Sequence, residues 1–185
     1  MYVKKHKAQY GQVVIACDGG SWRRDVFPQY KWARRNNRKE SKLDFDMVFS
    51  ALNKVRDEIA VNMPYKVVYI RNVEADDIIG VLVEETQEFG QMEDVMIISA
   101  DKDFIQLQRY NNVKQYSPMT KKFISDPNPV SYLFEHVLKG DSSDGIPNVL
   151  SGDDTFVESI RQSPMTKKKI QSYIDNVENL EEFMG

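Results

Sequence analysis

Three short runs of apolar, largely β-branched residues constrain this chain more than any other feature: Gln12–Cys17 (QVVIAC), Tyr65–Ile70 (YKVVYI) and Val95–Ser99 (VMIIS). Each is continuous rather than alternating, as in a strand covered on both faces, and such strands belong to parallel sheets with helices on either side. Helical spacing fills the intervals. Leu43 to Asn62 carries apolar residues at Leu43, Met47, Leu52, Val55 and Ile59 and ends before Pro64. Asp76 to Phe89 turns Ile78, Ile79, Leu82 and Val83 inward and is closed by Gly90. Beyond Val95–Ser99 the sequence predicts a short helix over Phe104–Arg109 and strands at Val113–Tyr116 and Lys122–Ile124. A helix over Ser131–Lys139, stopped by Gly140, and weakly amphipathic helices over Asp153–Met184 complete the pattern. The expected fold class is α/β, with a mainly parallel central sheet flanked by helices and a helical C-terminal segment.

Ligands of such sheets gather at the carboxyl ends of the strands, and acids stand at all three ends. Asp18 follows the first run, Glu74, Asp76 and Asp77 follow the second, and Asp101 and Asp103 follow the third. Asp141 and Asp144 open a later segment with a spacing that sets two side chains on one helical face. Singly, each has an ordinary explanation: Asp76 and Asp77 suit the first turn of a helix, and Asp18 beside two glycines suits a turn. Together they do not. Two carboxylates about 4 Å apart repel by about 4 kcal/mol at an effective dielectric of about 20, so a gathering of them calls for protons or cations. Two histidines and a single cysteine, Cys17, cannot build a zinc cage. Magnesium, which takes hard oxygen ligands and keeps several waters, fits the residue types present. Two such ions roughly 4 Å apart activate a water and stabilise the leaving oxygen of a phosphodiester.

The net charge of −3 averages over a strong asymmetry. Between Arg23 and Lys42 stand Arg23, Arg24, Lys31, Arg34, Arg35, Arg38, Lys39 and Lys42, against Asp25 and Glu40 alone, with Trp22, Phe27, Tyr30 and Trp32 interleaved. In isolation this stretch, helix or mobile loop, would be a solvated basic face. Beside a cluster of acids it becomes a phosphate-binding stripe whose aromatics can stack on the bases of a single strand. No apolar run approaches the roughly 18 residues that cross a bilayer. Met1 to Gly11 is basic without an apolar block, and Cys17 has no partner for an internal disulfide. A cytoplasmic setting without a membrane partner is expected.

Glu74-Ala75-Asp76-Asp77, Ser99-Ala100-Asp101-Lys102-Asp103-Phe104 and Leu138-Lys139-Gly140-Asp141-Ser142-Ser143-Asp144, in that order, resemble the acidic motifs of the flap endonuclease and 5′-3′ exonuclease family, which carries a PIN-like nuclease domain. Trp22-Arg23-Arg24-Asp25, Tyr30-Lys31 and Asn112 to Met119 extend the likeness toward its ribonuclease H type, over about Val3 to Val149. The resemblance implies a magnesium-dependent nuclease, with manganese as a substitute. Asp18, Glu74, Asp76, Asp77 and Asp101 would be ligands of a first ion. Asp103, Asp141 and Asp144 would surround a second, with Asp101 between them. Tyr30, Lys31 and Arg34 are similar to a YK-x-x-R arch that receives a 5′ single strand, Lys31 acting as electrostatic catalyst and Arg34 as phosphate clamp. Arg23, Arg24, Arg35 and Arg38 would add nucleic-acid contacts. Implied substrates are RNA primers in RNA–DNA hybrids, 5′-ended duplex DNA and flaps, met during phage lagging-strand replication in the host cytoplasm. A single-stranded-DNA-binding protein and a sliding clamp are the implied protein partners.

Two departures from the pattern shape the expected organisation. The family implies a further strand, with another metal-binding aspartate, ahead of Gln12–Cys17, whereas Met1 to Gly11 holds no acid. After Asp144, Gly145-Ile146-Pro147-Asn148-Val149 begins in the style of a duplex-binding hairpin, but Leu150 to Asp154 lacks its glycine–lysine pattern. The expectation is a nuclease core over residues 1–130 without its first strand, then a helical segment over 131–185 that opens the duplex-binding region. A separate N-terminal segment would supply the strand in trans. The alternatives are a catalytically impaired nucleic-acid-binding fragment and one part of a split nuclease. A phosphatase-like site is disfavoured by the aromatic basic stripe.

Overall fold

The structure is a computed structural model that describes residues 2–87 and 92–177. The expected stop at Gly90, and the expected helix beyond Val177, lie outside the described residues. In chain order the elements are α1 (Tyr2–Tyr10), β1 (Val14–Cys17), α2 (Arg23–Val26), α3 (Trp32–Glu40), α4 (Phe45–Asn62), β2 (Lys66–Tyr69), α5 (Ala75–Gln87) and β3 (Val95–Ile98). A 3₁₀ helix (Lys102–Arg109), β4 (Val113–Ser117), β5 (Lys122–Ile124), α6 (Pro129–Lys139) and α7 (Lys167–Asn176) follow. They form two compact units, one of Met1–Trp22 with Asp44–Asp126, the other of Arg23–Leu43 with Pro127–Gly185. The second unit thus takes in the basic segment Arg23–Leu43 together with the C-terminal part of the chain.

In the first unit β1 pairs in parallel with β2, Val14 opposite Lys66 and Cys17 opposite Tyr69. β3 pairs in parallel with β4, Val95 opposite Val113, and β4 turns back into β5 as an antiparallel hairpin. The α/β class with parallel pairing thus stands, its strands distributed over a two-stranded and a three-stranded ladder. Apolar spacing explains the core: Val83 of α5, Ile97 of β3, Phe104 and Leu107 of the 3₁₀ helix and Val113 of β4 pack together, with Ile79, Val95 and Tyr110 against them. α4 starts where the Asp44 side chain accepts the Met47 N–H, an N-cap bond. Its apolar face is only partly covered. The helix packs on β2, yet Leu52 is 58% exposed and Val55 55%.

The second unit holds α2, α3, α6 and α7. Phe134 and Leu138 of α6 pack with Ile170 of α7, surrounded by Met165, Ile174 and Val177. Asn128 caps α6, with Pro129 in its first turn. Two helical expectations fail here. Asp141 and Asp144 do not lie on a helix: Gly140, at φ +65°, ends α6, and Asp141 bridges back to Ile146, so the pair sits in a bridged turn. The Asp153–Met184 segment is helical only over Lys167–Asn176 within its described part. The reason is a competing polar network around buried Asn148. Its N–H donates to Gln162 Oε1, its side-chain amide donates to the Ser163 carbonyl, and its Oδ1 accepts from Leu150 N–H and Ser151 Oγ. These bonds hold the chain irregular until Thr166 caps α7.

Candidate functional site

The first unit assembles acids at strand ends through hydrogen bonds that sequence spacing could not show. After β1 the chain turns through Asp18-Gly19-Gly20. Gly19 donates its N–H to the Val73 carbonyl at 2.8 Å and accepts from Asn72 N–H at 2.8 Å. This backbone docking sets the turn after β1 against the turn after β2. Asp18 Oδ1 then accepts the Ala75 N–H at 2.9 Å, in the first turn of α5. Glu74, 8% exposed, accepts a hydrogen bond on Oε2 from Ser21 Oγ at 2.9 Å. Asp77 Oδ2 accepts from Trp22 Nε1 and from Glu74 N–H, each at 3.2 Å. Asp76 stands exposed beside Asp77 in the same turn. Their place at a helix N-terminus favours negative charge.

Asp101 and Asp103 open the 3₁₀ helix, where Asp101 Oδ1 caps the Asp103 N–H at 3.1 Å. Their loop is gripped by Gln115, 1% exposed on β4, whose side-chain amide donates to the Ser99 and Asp101 carbonyls while its Oε1 accepts from Gln108. α5 packs against both β1 and the 3₁₀ helix. The side chains these turns carry are carboxylates, the ligand type that a hard divalent cation such as magnesium or manganese takes. Burial pushes the Cys17 thiol pKa above its ordinary value, with Arg56 lowering it and Asp18 raising it to a smaller degree.

In the second unit Tyr30, Lys31 and Arg34 converge on one acid. Tyr30 Oη donates to Asp144 Oδ2 at 3.0 Å, Lys31 Nζ lies 3.6 Å from Oδ2, and Arg34 Nη2 lies 2.8 Å from Oδ1. The Arg34 contact is an ion pair without hydrogen-bond alignment to that oxygen, and Arg34 donates instead to Ser143 Oγ at 3.1 Å. Lys31 adopts φ +54°, an uncommon conformation for a side-chain-bearing residue, and its N–H donates to the Asp144 carbonyl at 2.7 Å. Tyr30 is 4% exposed, so its ring is packed, with the Lys31 ammonium 4.8 Å and the Arg23 guanidinium 6.0 Å from its centroid. Arg35 donates to the Pro28 carbonyl, while Arg24 and Arg38 are exposed.

Asp141 lies in the same unit. Burial raises its carboxyl pKa, but hydrogen bonds from the Ser143 side chain and from the Ser143 and Asp144 N–H groups, with the charge of His136, outweigh that and lower it. A carboxyl lowered by folding contributes stability above its ordinary range, near pH 4, and that stability is lost as the pH falls through the lowered value. Acid titration of unfolding free energy is therefore expected to show a downward limb below about pH 4 that flattens in Asp141→Asn. An unchanged limb would assign the acid sensitivity to other carboxylates.

Residues 1–134 match the family model described as the 5′-3′ exonuclease, N-terminal resolvase-like domain. The chain is 39% identical over 183 residues to the ribonuclease H of enterobacteria phage T4, covering 94% of this chain and 59% of that one. The fold is similar to that of the bacteriophage T5 D15 protein co-crystallised with metal ions, with a TM-score of 0.67 and 19% identity over 97% of this chain and 77% of that one. A T5 D15 flap endonuclease in complex with DNA and metal ions gives 0.64 at 19% identity, covering 93% and 72%. The chain spans less than two thirds of the T4 enzyme's length.

Proposed function

This chain belongs to the 5′-3′ exonuclease family, and on that premise we propose that it is a magnesium-dependent 5′ nuclease of the ribonuclease H and flap endonuclease type. The observation that carries the reading is the hydrogen-bonded set of strand-end acids in the first unit. Asp18, Glu74 and Asp77 are locked together at the start of α5, and Asp101 and Asp103 are presented by the Gln115-gripped loop. These residues, with Asp76, would hold the cation, and the same role is assigned to Asp141 and Asp144. Two bound magnesium ions, or manganese, would supply water activation and leaving-group stabilisation. Lys31 and Arg34 bring positive charge for the scissile phosphate. Both cations lie against the Asp144 carboxylate, Lys31 at 3.6 Å and Arg34 at 2.8 Å.

Substrates of the proposed enzyme are RNA–DNA hybrids, 5′ DNA ends and flaps, and its place is phage lagging-strand replication in the host cytoplasm. There a single-stranded-DNA-binding protein and a sliding clamp would be its partners. No helix among the described residues is long and apolar enough to cross a membrane. The exposed basic groups Arg24, Arg34 and Arg38 are assigned to phosphate contact. Removing one by Arg38→Ala should weaken binding uniformly across sequences and reduce the slope of log K against log salt by about one. An unchanged slope would take Arg38 out of the interface.

A second reading rests on the surface of the first unit. β1 pairs with β2, and the apolar stripe of α4, with Phe49, Leu52 and Val55, stays exposed. Both features support a separate N-terminal segment that adds a strand to the first unit, making the chain one part of a split nuclease. In that case the chain alone binds nucleic acid without cutting it.

A further inference from the structure

We infer that Ser21 and Trp22 are positioning residues for the cation-binding carboxylates, one dipeptide orienting two ligands at once. This inference rests on the reading of the strand-end acids as a metal site. Trp22 belongs, by sequence, to a run of aromatics suited to stacking on bases, but its indole N–H is spent otherwise. Nε1 donates to Asp77 Oδ2 at 3.2 Å, and the neighbouring Ser21 Oγ donates to Glu74 Oε2 at 2.9 Å.

Glu74 immediately precedes α5 and Asp77 lies in its first turn, so two acids three residues apart stand within reach of the neighbouring donors Ser21 and Trp22. Asp77 Oδ2 also accepts the Glu74 N–H. Two donors on one oxygen restrict rotation of the carboxylate and define where its other oxygen points. Glu74 is buried, where an anion is costly without a donor, and the Ser21 hydroxyl supplies one. Outer hydrogen bonds of this kind orient the ligands of a metal, and their loss typically weakens metal binding by roughly 10- to 100-fold. The dipeptide reaches both acids because Gly19 lets the preceding turn dock on residues 70–73.

The test is calorimetric titration of manganese into the full chain and into Trp22→Phe and Ser21→Ala, with thermal melting of each in EDTA. Trp22→Phe keeps the ring and removes the donor, and Ser21→Ala removes only the hydroxyl. The expected result is manganese affinity lowered by roughly 10- to 100-fold in Trp22→Phe and measurably in Ser21→Ala, with melting in EDTA unchanged in Trp22→Phe and modestly lowered in Ser21→Ala, where buried Glu74 loses a donor. The magnesium concentration for half-maximal cleavage should rise in step, and the rate should recover at high magnesium. If the parent binds no manganese, the metal-site reading itself falls, and the inference with it. If the parent binds and both variants bind equally well, the inference is overturned and the metal site stands. Weaker binding of Trp22→Phe only in proportion to a lowered melting temperature, with Ser21→Ala unchanged, also overturns it, because the role is then structural.

Discussion

Asp101→Asn is expected to reduce magnesium-dependent cleavage by roughly two to three orders of magnitude, because it weakens the hold on the cation that would stabilise the charge developing on the phosphate, while leaving the fold intact. The structure separates the two effects. Asp101 has a structural task, accepting the Asp103 N–H on Oδ1, and an asparagine carbonyl oxygen can accept the same bond. Its main-chain carbonyl is held by Gln115 whatever the side chain. What the substitution deletes is the negative charge of an acid proposed to hold the cation. Because asparagine keeps the cap and Gln115 keeps the loop, the variant should melt within error of the parent temperature in EDTA. Cleavage assays on the parent and variant, with melting curves in EDTA, check both halves. A variant that cuts at the parent rate would remove Asp101 from the site.

Gly19→Ala carries the largest expected effect on stability. A Cβ at this position would lie 1.8 Å from the Ile70 carbonyl oxygen and 2.8 Å from its carbon, and these are backbone atoms that no rotamer change can move aside. The same residue makes two backbone hydrogen bonds to the turn after β2, so relieving the clash breaks the docking. Overpacking costs typically 1–3 kcal/mol, and a backbone obstacle places this site at the upper end, about 3 kcal/mol. Urea unfolding should show a lower midpoint with an unchanged slope. Because the turn leads directly to Ser21 and Trp22, manganese affinity should fall with it. A midpoint within error of the parent would mean that the two turns do not meet as described.

The strands were legible because each is a continuous apolar run, and the acids were legible because they stand where those runs end. Asp18, Glu74 and Asp77 read as a set from sequence position, and the structure joins them through bonds to Ala75, Ser21 and Trp22. The bonds themselves were not legible. Trp22 lies 55 positions from Asp77, and nothing in an aromatic run announces an indole that donates to a carboxylate. Gln115 likewise looks like an ordinary polar strand residue until its burial and its grip on the Asp101 loop are seen. Asp141 and Asp144 are the opposite case. Their three-residue spacing fits a helical face and a turn equally, and Gly140 with the Asp141–Ile146 bridge decides for the turn. Periodicity predicts helix in the irregular stretch before Thr166 because the Asn148 network leaves no periodic trace.

The most direct measurement is cleavage of a 5′-labelled RNA–DNA hybrid and of a 5′-flap DNA by the purified chain, in magnesium and in EDTA. Magnesium-dependent release of short 5′ products, absent in EDTA and in Asp101→Asn, is the result predicted for the nuclease. Salt-sensitive binding of both substrates with no product in magnesium would contradict it for this chain acting alone and favour the split-nuclease reading.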